Sequence, residues 1–281
     1  MKRIMWILTL LLAASLVLAA CGTPAEPAPE EAAPVEEAAP VEEEAAPAEE
    51  EAGLPDLAGR EVTVAIENAY LPFNYIDPET GEGAGWDYEV WNAICELLNC
   101  TPVYVEAAWE GMIQAVADGQ FDAAADGITI TADRAEIVDF SIPYVVVGQV
   151  LLTREGETND LDAFKADAAL LIGTQIGTTN EIVAKETFPD KEIQSYEDFG
   201  AAILALLAND IDGVVVDNVS ASGFMDENEG LEISSQITSD EELAFVFPPG
   251  SDLVEKVNGA LEEMMADGTL DEINAKWGLT D

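Results

Sequence analysis

From about residue 60 onward the chain alternates between two hydrophobic spacings. Short runs rich in β-branched residues predict strands at Val62–Ile66, Val103–Val105 and Phe121–Ala125. Helical patterns lie between them. Trp86, Val90, Ile94 and Leu97 recur at three- and four-residue steps behind Asp87, and predict a helix over Trp86–Leu98. A second helix, Gly111–Asp118, stops at Gly119. This order of strand, helix, strand, helix, strand implies a mostly parallel sheet covered on both faces. After Tyr144 the pattern restarts, with strands at Val150–Leu152, Leu170–Ile172 and Val214–Val216. Helical segments near Thr178–Glu186 and Phe199–Ala208 separate them. A last strand, Ala244–Phe247, precedes Pro248-Pro249, and helices follow over Ser251–Asp267 and Leu270–Trp277. The chain therefore reads as two α/β units in tandem.

The first fifty residues obey neither period. Lys2 and Arg3 precede an apolar stretch, Ile4–Leu18, that is short for a membrane span and ends in small residues. Residues 1–20 thus read as a secretory signal. The ending Leu18-Ala19-Ala20-Cys21 is similar to a bacterial lipobox, in which Cys21 is lipidated and becomes the mature N-terminus. An uncleaved anchor, or a plain signal with a free cysteine, are the alternatives. Residues 21–54 are built from Pro, Ala and Glu in a degenerate APVEE repeat. Without large apolar side chains they cannot offset the entropy of ordering, and they read as an extended tether. The protein is thus expected to be exported and held by its lipid at the outer face of the cell membrane or in the periplasm.

Charge narrows the partners. The chain has 57 acidic and 10 basic residues, and 46 of the former and eight of the latter lie from Leu54 onward. Nucleic acid and anionic headgroups would be repelled by such a surface. Cationic ligands would be favoured, although solubility or a saline habitat is the plainer reading of the acidity. There is no histidine, which removes the commonest general base and the commonest metal ligand. No catalytic residue, metal or cofactor is expected. Besides Cys21 the thiols are Cys95 and Cys100. In an oxidising compartment they are either disulfide-bonded or two buried thiols.

The candidate chemistry lies in four segments. GITITADRAEIVDFSIPY, Gly127–Tyr144, sets Gly127 and Thr129 a few residues ahead of Arg134. A zwitterionic amino acid needs oxygen acceptors for its ammonium, with N–H groups and a guanidinium fork for its carboxylate. The plainer reading of Arg134 is a surface ion pair with Asp133 or Glu136, and of the turn a helix start capped by Thr131. IGTQIGTTNEIV, Ile172–Val183, places Gly177 and Thr178 at a helix start whose free N–H groups favour a carboxylate. Asp217 ends the apolar run VVVD, either to meet an ammonium or to cap the next helix through Asn218. ENAYLPF, Glu67–Phe73, and Trp109 supply an acid and two aromatics, Tyr70 and Trp109, suited to a flat or cationic group.

These segments resemble the signature of the family 3 extracellular solute-binding proteins, the amino-acid receptors of ABC importers, over about Glu61–Leu279. The resemblance implies an α/β, two-lobed type II periplasmic-binding-protein fold, each lobe a mainly parallel sheet flanked by helices. Two crossovers are implied, near Tyr144–Gly148 and Ser239–Leu243. Lobe 1 would comprise residues 55–145 plus 242–281, and lobe 2 residues 146–241. Gly127, Thr129 and Arg134 would act from the first lobe and Gly177, Thr178 and Asp217 from the second. Relatives place the ammonium-binding acid at Asp217, an aromatic sandwich at Tyr70 and Trp109, and a side-chain-reading acid at Glu67. Phe73, Asp87, Asp139 and Phe140 match scaffold positions, while Val216 departs from relatives with a polar residue there. The implied ligand is a polar L-amino acid, cationic (arginine, lysine or ornithine) ahead of glutamine. The implied partners are a permease and separate ATPase subunits, since no GxxxxGK loop is present; the receptor itself would be monomeric and not an enzyme. Two rivals remain: a cyclohexadienyl dehydratase-like enzyme acting on prephenate or arogenate through Glu67 or Asp217, and an extracellular sensor module.

Overall fold

The computed structural model describes residues 53–279. The expected signal peptide over 1–20, the expected lipidation site Cys21 and all but the end of the expected tether lie outside them. The first half begins with β1 (Arg60–Ile66), three short strands β2 (Ala69–Tyr70), β3 (Asn74–Ile76) and β4 (Gly83–Ala84), and α1 (Trp86–Leu98). Next come β5 (Cys100–Glu106), α2 (Met112–Ala117), β6 (Ala123–Thr129), α3 (Ala132–Ala135), β7 (Asp139–Phe140) and β8 (Val145–Val147). The second half runs β9 (Gln149–Arg154), α4 (Leu161–Ala166), β10 (Ile172–Gln175), α5 (Thr179–Thr187), β11 (Gln194–Tyr196), α6 (Phe199–Leu207), β12 (Gly213–Asp217), α7 (Asn218–Glu227) and β13 (Leu231–Gln236). β14 (Glu241–Phe247), α8 (Val254–Asp267) and α9 (Thr269–Lys276) complete the chain.

Two sheets organise these elements. The first has the order β5-β1-β6-β14-β7 with β8 also on β14, and the second the order β11-β10-β12-β9-β13. In the first, β5, β1 and β6 are parallel while β14 runs antiparallel to β6, β7 and β8. In the second, β11, β10 and β12 are parallel and β9 runs antiparallel to β12 and β13. The expected mainly parallel sheets are therefore mixed. The reason is topological: β9 and β14 are the strands by which the chain enters one sheet from the other, so neither follows a right-handed crossover.

Strand alternation divides the core. Val62 and Val64 of β1, Ala123 and Ala125 of β6, Val150 and Leu152 of β9, and Val214 and Val216 of β12 share one cluster with the buried face of α1. Their neighbours Ala65, Ala124 and Ile128 pack with Met112 and Val116 of α2. Leu151 and Val215 pack with Phe164 of α4 and Ala184 of α5. Successive side chains point to opposite faces, and here both faces are covered, so the strands read as continuous apolar runs. α1 buries Trp86, Val90, Trp91, Ile94 and Leu98, and stops at Asn99, which is left-handed (φ 50°). Cys95 is disulfide-bonded to Cys100 across that stop.

The chain passes from the first sheet to the second at Gly148, between β8 and β9, and returns over residues 237–240. The two connections touch. A Cβ at Gly148 would lie 2.2 Å from the Thr238 carbonyl oxygen, so only glycine allows this approach. Asn218 fastens the first connection by accepting from the Gly148 N–H (3.1 Å) and donating its own N–H to the Gly148 carbonyl (2.7 Å).

Candidate functional site

Because β5, β1 and β6 are parallel, their carboxyl ends gather on one edge of the first sheet, and those of β10 and β12 gather on one edge of the second. Loops at such edges are where open α/β sheets bind ligands. A small cavity, about 20 Å³ in volume, lies there. It is lined by Glu67 just past β1, Trp109 past β5, Gly127 and Thr129 on β6, and Arg134 on α3, together with Tyr70. The second sheet contributes Thr178 and Asp217. Eight of the nine residues picked out for ligand contact in the sequence thus share one cavity. Gly177 is not in its lining: its N–H goes to Glu181 Oε2 (2.9 Å), and its α-carbon sits beside the Trp109 ring.

The backbone of β6 is specialised at this edge. Ala244 of β14 lies opposite Ile128 and Val246 opposite Ala124, so three residues of β6 face the single Phe245. That bulge breaks the ladder and re-aims side chains. Gly127 in its middle has a left-handed φ of 54°, and a Cβ there would meet the Tyr70 ring at 2.4 Å. The strand continues to Thr129, beyond the expected end at Ala125.

Arg134 makes none of the ion pairs with Asp133 or Glu136 that its neighbourhood in sequence suggests. Its guanidinium donates to the Thr129 carbonyl (2.8 Å) and stands 5.3 Å from the centre of the Trp109 ring, a cation–π distance. Burial lowers its pKa to about 10, with Glu241 and Asp217 pulling the other way. Thr131 does cap α3, accepting from the Arg134 N–H.

Asp217, 2% exposed, holds the N-cap position of α7 but makes no side-chain cap. One carboxylate oxygen accepts from the Asn180 amide (2.8 Å) and the other from the Tyr70 hydroxyl. Burial raises its pKa to about 6, although both hydrogen bonds and the Arg134 charge favour the ion. Thr178 caps α5, accepting from the Glu181 N–H (3.1 Å) and donating to the Gln175 carbonyl (2.8 Å). Glu67 Oε1 accepts from Gln175 Nε2 (2.8 Å), a bond between the two halves, and burial pushes its pKa up to about 7. Thr129 Oγ1 lies 3.2 Å from Thr179 Oγ1, also across the gap.

Several lining residues went unseen in the sequence: Asp126, Gln175, Thr179, Asn180 and Phe199. Phe199 stacks on Tyr70 with ring centres 5.4 Å apart, and Phe73 also stacks on it at 5.3 Å. The missed signal for Asp126 was a charged residue inside an otherwise apolar strand. Among the described residues no group of three or more Cys, Asp or Glu side chains is arranged to hold a metal ion, and no helix is long and apolar enough to cross a membrane.

Known proteins are similar to this chain in sequence and in fold. The chain is similar to a probable histidine-binding protein of Campylobacter jejuni, with 31% identity over 218 residues, 75% of this chain and 82% of that protein. It is 26% identical to ABC transporter arginine-binding protein 1 of Escherichia coli over 229 residues, 78% of this chain and 91% of that one. Among solved structures, an ancestral arginine-binding protein bound to arginine superposes with a TM-score of 0.72 at 31% identity, covering 78% of this chain and 99% of that one. Residues 62–280 match the profile of the bacterial extracellular solute-binding proteins, family 3, and the chain belongs to that family.

Proposed function

We propose that the chain captures a free L-amino acid outside the cytoplasmic membrane and presents it to the membrane subunits of an ABC importer. The observation that carries this is that Arg134, on α3 in the first half, and Asp217, at the end of β12 in the second, line one cavity. Arg134, with the backbone N–H groups of Thr129 and Thr178, receives the carboxylate. Asp217, the Thr129 hydroxyl and the Gly127 carbonyl receive the ammonium. The aromatic groups Tyr70, Phe199 and Trp109 bound the space left for the side chain, and Glu67 reads its polar end. The named relatives are a probable histidine-binding protein and arginine-binding proteins, and Glu67 supports a cationic side chain here as well.

The two sheets act as two lobes, residues 55–145 with 242–281 and residues 146–241, hinged at the paired connections. A ligand touching both lobes favours the closed arrangement by its differential affinity, and that shape is what a permease would recognise. Cys21 carries the lipid that keeps the monomeric receptor at the membrane. A thermal-shift screen against the twenty amino acids and ornithine tests the reading, because a tight ligand raises apparent stability by mass action. Shifts for L-arginine, L-lysine or L-ornithine that vanish in Arg134→Ala support it. A screen with no shift for any amino acid overturns it.

A further inference from the structure

Asp126 lies on β6 between Ala125 and Gly127, 3% exposed, and lines the cavity. Its Oδ1 accepts from Asn74 Nδ2 at 2.7 Å, and its Oδ2 makes no well-formed hydrogen bond, the backbone N–H of Glu67 giving the carboxylate only partial support. A buried carboxylate oxygen left unpaired in a water-excluded place is costly, so it calls either for a proton or for a cation. Glu67 lines the same cavity and bears on Asp126 electrostatically. Its Gln175 partner occupies Oε1. The bulge in β6 is what places Asp126 here, since it interrupts the strict alternation of that strand.

The surrounding charges offer the pair little relief. Asp87, buried at the start of α1, shares the Asn74 amide with Asp126, donated to its Oδ2 at 2.9 Å. Asp198 at the N-cap of α6 adds repulsion to Glu67. Asp217 and Arg134 stand elsewhere in the cavity lining, and Arg134 alone among these groups is positive. Tyr70 and Tyr144, both buried, are held above the usual phenol range and stay neutral at physiological pH. Carboxyls buried around one cavity and bearing on one another electrostatically do not all ionise, so the pair retains a proton. Burial followed by the Glu67 charge drives Asp126 well above the carboxylate range.

We propose that Glu67 and Asp126 form a paired-carboxylate subsite that shares one proton and releases it to solvent when the cationic end of a dibasic L-amino acid enters. The proposal rests on the amino-acid reading of the cavity, and it makes Asp126 a specificity-determining residue. Arrival of a guanidinium or ammonium removes the repulsion that kept the proton in place. A neutral side chain such as that of glutamine does not, and it binds with the proton retained.

Isothermal titration calorimetry of the full chain with L-arginine and L-glutamine tests this, at pH 5.5 and pH 8, in two buffers of different ionisation enthalpy. Arginine binding releases a proton and glutamine binding does not. Arginine affinity climbs as pH rises through about 7, where Glu67 ionises, while glutamine affinity levels off above about 6, once Asp217 is charged. Asp126→Asn, which keeps the Asn74 hydrogen bond, weakens arginine by about tenfold or more at pH 8 and abolishes the buffer dependence, with glutamine unchanged. Glu67→Gln gives the same signature should the first variant fold poorly. Arginine binding without proton release, or equal losses for both ligands in Asp126→Asn, overturns the subsite while leaving the amino-acid reading intact. No binding of either ligand by the unmodified protein defeats both.

Discussion

At Asp217 two readings compete for one side chain, and packing decides between them. A carboxylate at a helix start ordinarily caps it, but here Asn180 and Tyr70 turn the group into the cavity. The same contest occurs at Arg134, where Thr129 and Trp109 replace the nearby acids as partners. Arg134→Ala and Asp217→Ala are each expected to remove the thermal shift for every amino acid, because both act on groups common to all of them. Glu67→Gln should weaken cationic ligands selectively. Calorimetric affinities for arginine and glutamine, compared in each variant, check both statements. That Glu67, Arg134 and Asp217 line one cavity was foreshadowed by the likeness of their segments to the family signature, not by the residues alone. Asn180 and Gln175 were not, since an amide's partner depends on which loop folds opposite it.

Among the elements, helix α1 was readable to its last residue because its apolar stripe is regular and Asn99 ends it. Strand β6 was misread at its carboxyl end, since a bulge has no hydrophobic period. The short strands β2 to β4, and β7, β8 and β11, escaped for the opposite reason. At two or three residues each, they carry too few positions to show any alternation. The helix α5 illustrates a local device with a site at its end. Thr178 satisfies the Glu181 N–H, while the Glu181 carboxylate reaches back to Gly177, close to a capping box. Thr178→Ala should therefore cost about 1 kcal/mol of stability, read from chemical denaturation, in addition to its effect on binding. A loss confined to binding would show that the cap is redundant. Gly127→Ala is expected to be harsher, since its Cβ would collide with Tyr70 in a conformation that disfavours side chains.

For the whole molecule, the buried carboxyls set an unusual pH dependence. Burial raises Asp217 to about 6, Glu67 to about 7 and Asp87 to about 8. Each holds its proton more tightly folded than unfolded, so the native state binds more protons across that range. Stability is then fully present below the unfolded carboxyl values, near 4, and is lost as pH rises through about 6 to 8. The melting temperature of ligand-free protein should fall from pH 5 to pH 8.5, and Asp87→Asn should flatten the decline. A melting temperature that rises over this interval would contradict the assignment. Repulsion among the 57 acidic residues acts in the same direction, and added salt relieves that part while leaving the buried part in place. The general plan of two α/β units was visible in the restarting pattern after Tyr144. The antiparallel strands were hidden because strand direction depends on where the chain returns.

Gly148 has no side chain and lies outside the cavity lining, yet its contact with the Thr238 carbonyl fixes how near the two connections can run. One added methyl group would wedge them apart and tilt the resting population of the receptor toward arrangements that hold no ligand. Gly148→Ala should weaken arginine, lysine and glutamine by one common factor, since apparent affinity scales with the fraction of molecules already competent to bind. Selectivity would survive untouched, so part of the tightness of capture would be set outside the cavity that chooses the cargo.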